Sequence, residues 1–139
     1  MKNLWSLKAS EISKLYLSNE ISLDDIINSV EERFNQVNPK INAIPVSTFE
    51  YARKQAKLLD NNKKNKKPLG CLAGVPVTVK INTDQIGFAS TNGLRLNKSL
   101  IANKNSTVVD NLEKAGALII GRTNTCLLYT SPSPRDDEL

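Results

Sequence analysis

Apolar residues recur every three or four positions through the first sixty residues, the spacing of amphipathic helices. Between residues 6 and 19, Leu7, Ile12, Leu15 and Tyr16 share one face, which predicts a first helix that "SNEIS" (18–22) interrupts. A second helix is the clearest in the chain. Leu23, Ile26, Ile27, Val30, Phe34 and Val37 repeat at helical spacing, and Ser22 stands at the N-cap. Asp24 and Asp25 lie in its first turn, where the helix dipole favours acids, and Pro39 is expected to stop it. "INAIPVST" (41–48) reads as a short extended segment, after which Thr48 opens a third helix through Ala52, Ala56 and Leu59. Residues 60–70, "DNNKKNKKPLG", read as a polar, basic surface loop.

Beyond residue 70 the period changes from helical to alternating. Val75, Val77, Val79 and Ile81 fall on one side of a strand, with Pro76, Thr78, Lys80 and Asn82 on the other. A long loop containing "TNG" follows from about 82 to 104. Asn105 or Ser106 then caps a helix through Val109 and Leu112 that ends at Gly116, and "ALIIG" (117–121) forms a second buried strand. Strand, helix, strand in that order predicts a βαβ unit, a parallel sheet and an α/β fold.

Composition narrows the chemistry. With 139 residues, 40% hydrophobic and 5% aromatic, the chain suits one modest domain whose core is built on Ile, Leu and Val. No apolar run has membrane-spanning length, and the N-terminus carries no apolar signal core. Cys71 and Cys126 form neither a disulfide framework nor a metal-ligand pair, which fits a reducing, cytoplasmic setting. The chain has no histidine. That excludes Ser-His-Asp and Cys-His sites and the common His-containing zinc sites from these residues, and no cofactor or metal is expected. Acid–base work falls to Lys, Tyr, Asp or Glu.

The last fourteen residues, "CLLYTSPSPRDDEL", break the pattern. Residues 126–136 resemble the in-frame translation of a transposase sequencing adapter, and residues 126–139 are read as a non-native tail rather than a natural disordered C-terminus. The domain is then 1–125, the N-terminal fragment of a longer one. Removing the tail takes Lys+Arg from 19 to 18 and Asp+Glu from 14 to 11, which leaves +7.

Two segments invite a chemical reading. "GALIIGRT" (116–123) nearly fits a phosphate-binding loop, but its intervening residues are strand-like and Arg122 replaces the lysine. It is read as structural. Lys80 admits two readings: an ammonium kept wet at a strand end, or an amine whose basicity is tuned by burial in a strand covered on both faces. Spacing alone favours the first. The absence of histidine adds weight to the second.

"NPKINAIPV", "LAGVPVTVK" and "NSTVVDNLEKAGALIIGRTNT", in that order, resemble the amidase signature family of serine hydrolases across residues 6–125. The resemblance implies a mixed sheet layered between helices, here the N-terminal part of an α/β/α sandwich. It also implies a Ser–cis-Ser–Lys triad acting on a small-molecule amide substrate. The lysine closing "GVPVTVK" is the triad base, so Lys80 inherits that role. The two serines belong to a Gly/Ser-rich segment beyond "GRTNT" that does not occur here. Ser90, Ser99 and Ser106 stand in the wrong context for them. Ile81 replaces an aspartate common after the lysine, and Leu94 a serine common after "TNG". The fragment is therefore expected to be inactive and to fold poorly alone, with open sheet edges. Two other readings rank lower: the glutamine-hydrolysing component of a tRNA-dependent amidotransferase, with partner subunits and tRNA, and a small basic nucleic-acid-binding module. The charge permits the last, but "DNNKKNKKPLG" lacks interleaved aromatics and the motif order argues against it.

Overall fold

The computed structural model describes residues 3–125. The tail assigned to 126–139, with Cys126, lies outside the described residues. Four α-helices and three strands follow in the order α1 (Ala9–Leu17), α2 (Leu23–Ile41), β1 (Val46–Ser47), α3 (Phe49–Lys64), β2 (Pro76–Lys80), α4 (Thr107–Lys114) and β3 (Leu118–Thr123). Short 3-10 turns cover Leu4–Ser6 and Arg95–Ser99, the second within the expected 82–104 loop. No helix among the described residues is long and apolar enough to cross a membrane.

Local signals set most of the boundaries. α1 starts at Ala9 rather than residue 6, because the Glu11 carboxylate accepts the Lys8 backbone N–H at 2.8 Å. At α2 the Ser22 hydroxyl accepts the Asp25 N–H and the Asp25 carboxylate accepts the Ser22 N–H, a reciprocal cap. The Ser22 hydroxyl, which also donates to the Asp25 carboxylate at 2.6 Å, and secondarily the Ser22 N–H hold the Asp25 carboxyl below its usual range. Pro39 does not stop α2. It sits in the last turn, where it costs one helical hydrogen bond, and the helix runs on to Ile41. The stop is Asn42, in the left-handed region at φ 46°, and the Asn38 side chain brackets the exit by bonding both N–H and C=O of Ile44. α3 likewise continues through residues 60–64, where composition predicts loop. Tyr16 of α1 donates to Asp60 at 3.0 Å, and Lys63 lies 4.0 Å from the Tyr16 ring centroid. This contact with α1 carries the helix through residues that are polar by composition.

The sheet order is β1-β3-β2, with β2 parallel to β3 and β1 antiparallel to it. The βαβ unit forms as its pattern predicts, and β1 makes the sheet mixed. Gly116, at φ 85°, turns the chain from α4 into β3. β3 is central and buried on both faces. Leu118 and Ile120 join the core of α1–α3, whereas Ile119 packs with Val79 and Val109 under α4. Helices therefore lie on both sides of β3. Thr48 opens α3 as expected, but its hydroxyl donates to the Ile119 carbonyl at 2.7 Å instead of capping the helix.

Candidate functional site

Lys80 is the last residue of β2 and pairs in register with Thr123, the last residue of β3. Parallel pairing brings both carboxyl ends to one edge, the side on which open α/β sheets hold their ligands. The alternation read from the sequence is present: Val75, Val79 and Ile81 are buried, whereas Thr78 and Lys80 are exposed. Among the described residues β2 is thus covered on one face only, and the Lys80 ammonium reaches solvent. Its backbone is fixed more firmly. The Ile81 N–H donates to the Thr123 carbonyl at 3.0 Å, and the Thr83 N–H donates to the Lys80 carbonyl at 2.9 Å.

The residue that organises the loop beyond Lys80 is Arg122. It sits opposite Val79 in the ladder and is fully buried. Its Nη2 donates to the carbonyls of Ile81 (2.9 Å), Thr83 (3.0 Å) and Ala89 (3.3 Å), and its Nη1 to Gln85 Oε1 at 3.4 Å. The guanidinium carbon lies 5.9 Å from the Phe88 ring centroid. Burial pulls the Arg122 pKa down and Asp84 partly restores it. Sequence reading reached this position as a failed phosphate loop and as part of the "GRTN" motif, with no role for the side chain. The overlooked signal was an arginine ending a run of buried strand residues, since a buried guanidinium must find acceptors.

The far side of the loop is tied to α4. The Ser106 N–H donates to the Asp84 carbonyl at 2.9 Å, the Ile86 N–H to Asn105 Oδ1 at 2.8 Å, and the Gly87 N–H to the Ala102 carbonyl at 3.0 Å. Glu113 of α4 gathers Tyr51 (2.5 Å), Gln55 (3.1 Å) and Asn105 (3.3 Å), and the Tyr51 ring meets Phe88 edge-on. Burial, reinforced by Glu113, raises the Tyr51 phenol pKa. Three serines near this edge have structural places: Ser90 donates to Asp84, Ser106 caps α4, and Ser99 lies in an exposed turn. The described edge therefore presents the Lys80 ammonium on a pinned backbone.

Comparison with known proteins agrees with this architecture. The sequence profile of the family described as Amidase matches residues 25–134. The chain is 38% identical over 122 residues to an indoleacetamide hydrolase of Bradyrhizobium diazoefficiens, covering 88% of the chain and 23% of that protein. It is also 38% identical over 122 residues to a glutamyl-tRNA(Gln) amidotransferase component of Fusobacterium nucleatum, covering 88% of the chain and 25% of that protein. The solved structure of a bacterial aryl acylamidase of the amidase signature family superposes with a TM-score of 0.80 at 29% identity, over 86% of this chain and 25% of that one. The chain thus spans about a quarter of the length of the curated relatives it matches. With a family match over most of its length and the same sheet and helix arrangement, the chain belongs to the amidase family.

Proposed function

We propose that the protein to which this chain contributes hydrolyses the C–N bond of a small carboxylic amide, giving an acid and ammonia or an amine, and that Lys80 is its catalytic base. The observation that carries this reading is the place of Lys80: the carboxyl end of a parallel strand, inside the "GVPVTVK" motif, in a chain of the amidase family with no histidine. In its neutral form the amine accepts a proton relayed through a bridging serine, so that a second serine attacks the amide carbonyl. The amide C–N bond breaks as the leaving nitrogen takes a proton, and water then releases the acid from the acyl-enzyme. Both serines lie in a Gly/Ser-rich segment of a longer reading frame, on this reading, with residues 126–139 foreign to it and the protein cytoplasmic. The 139-residue chain alone then turns over no amide.

Because the Lys80 side chain is exposed, Lys80→Ala leaves stability within about 0.5 kcal/mol of the parent. In the full-length enzyme it lowers kcat/KM on a simple aryl or aliphatic amide by at least about 1,000-fold. Turnover retained within tenfold refutes Lys80 as the base.

A second reading has its own support, since a glutamyl-tRNA(Gln) amidotransferase component matches at the same 38% identity as the indoleacetamide hydrolase. On that reading the amide is glutamine, and hydrolysis depends on partner proteins and tRNA. Glutaminase activity appearing only after those partners are added selects it. Partner-independent turnover of other amides selects the first.

A further inference from the structure

We infer that Arg122 is a positioning residue for Lys80: its buried guanidinium holds the 81–89 loop against the end of β2 and so fixes where the lysine is presented. The inference rests on the proposal that Lys80 is the base. The backbone carbonyls that Arg122 gathers, those of Ile81, Thr83 and Ala89, come from different points of the loop and meet on a single nitrogen. The first belongs to the residue after Lys80. The outer part of the loop, Asp84 to Gly87, is held by Asn105, Ser106 and Ala102, but its inner part, next to Lys80, is held by the strand ladder and by Arg122.

Stability alone does not account for this residue. No carboxylate forms an ion pair with Arg122 among the described residues, and burial works against its charge. Apolar side chains of similar volume fill such space at lower cost in free energy than a buried charge. A hydrocarbon cannot hold carbonyls, whereas the Nη2 amino group shares its two N–H donors among three of them. The guanidinium therefore specifies the course of the backbone just after Lys80. Displacing a catalytic group by about 1 Å lowers rates by about 100-fold, which gives such precision a catalytic consequence.

The test uses the full-length enzyme, with Arg122→Gln, Arg122→Lys and Lys80→Ala assayed on one amide at a temperature where thermal melts show each folded. R122Q is expected to lower kcat about 30-fold or more with KM within about threefold. R122K keeps a charge but not the fork, and is expected to fall between R122Q and the parent, about three- to tenfold below the latter. If R122Q does not fold, R122K is read alone: kcat reduced with an unchanged melting temperature supports the inference. Unchanged kcat in whichever variants fold, while K80A is inactive, overturns the positioning role and leaves the base intact. Turnover retained in K80A overturns the base, and the positioning role with it.

Discussion

Replacing Gly121 with alanine tests how closely β1 approaches β3. Gly121 pairs with Ser47 in the antiparallel register, and a Cβ built there lies 2.5 Å from Ile44 Cγ2 and 3.4 Å from the Val46 carbonyl oxygen. Carbon atoms rest about 3.5–4 Å apart, so the methyl forces Ile44 away by about 1 Å. Ile44 is β-branched, stiff at χ1, and its N–H and C=O are both bound by Asn38, so the shift is resisted. Overpacking of this kind costs about 1–3 kcal/mol, while the loss of backbone freedom in the unfolded chain returns about 0.4–1 kcal/mol. G121A is therefore expected to be about 1–2 kcal/mol less stable. Ile44→Ala removes the clashing carbon; because Ile44 is half-buried, that change alone costs about 1–2 kcal/mol, below the range for core positions. The double variant then recovers at least about 1 kcal/mol relative to the sum of the singles. Equilibrium urea denaturation of the full-length enzyme, followed by far-UV circular dichroism, measures all four corners of the cycle. Additivity within about 0.5 kcal/mol, or a stabilised G121A, refutes the close approach.

Other substitutions probe the supports around the site. Ser22→Ala removes the α2 cap and is expected to cost about 1 kcal/mol in the same denaturation experiment. The lowered Asp25 pKa adds a pH signature: its stabilisation is full above the ordinary carboxylate value of 3.8 and disappears as the pH falls through the lowered one. S22A removes the hydroxyl that donates to the Asp25 carboxylate, so the stability difference between parent and S22A should shrink on acidification, and a pH-independent difference contradicts that hydrogen bond. Tyr51→Phe deletes the hydroxyl that donates to Glu113 and is expected to cost about 1.5–3 kcal/mol, as for a hydrogen bond to a charged group. A change below about 0.5 kcal/mol shows that Gln55 and Asn105 satisfy Glu113 without it.

Local pattern carried the parts of the fold that depend on neighbours in sequence. Ser22 with Asp25, the helical spacing of apolar positions in α2, the alternation around Val79 and the glycine after α4 each act within one or two turns of chain, and each is where the pattern placed it. The parts that pattern misread depend on residues far apart. α3 passes residue 60 because Tyr16 and Lys63 meet across 47 positions. Pro39 is harmless because Asn38 and Asn42, not the proline, shape the exit from α2. β1, by contrast, lies inside the extended segment read at 41–48, but at two residues it is too short to carry a period, and its place in the sheet comes from pairing with Gly121 and Arg122. The same limit hid half of the candidate site. Lys80 is conspicuous because an ammonium ends an apolar strand, but the four acceptors of Arg122 come from residues 81 to 89 and lie more than thirty positions away.

"GRTN" and "GVPVTVK" make sense as one object because β2 and β3 are register partners. Gly121 admits Ile44, Arg122 gathers the loop beyond Lys80, Thr123 pairs with Lys80, and the Asn124 N–H donates to the Ala43 carbonyl at 3.0 Å. Gly121 and Asn124 thus serve the β1 side of the sheet, and Arg122 and Thr123 serve the end of β2. That division predicts different phenotypes. Changes at Gly121 loosen β1 and appear in stability. Changes at Arg122 move the backbone after Lys80 and appear in kcat. Changes at Lys80, exposed at the strand end, leave the fold intact and remove the chemistry. A phosphate-binding reading of "GALIIGRT" predicts instead that Arg122 faces an anion, yet its guanidinium is fully buried beneath the loop and already donates to four protein oxygens. The sequence similarity to a phosphate loop comes from β3 running between two glycines, Gly116 for the turn and Gly121 for the close approach, with no cradle of backbone amides between them.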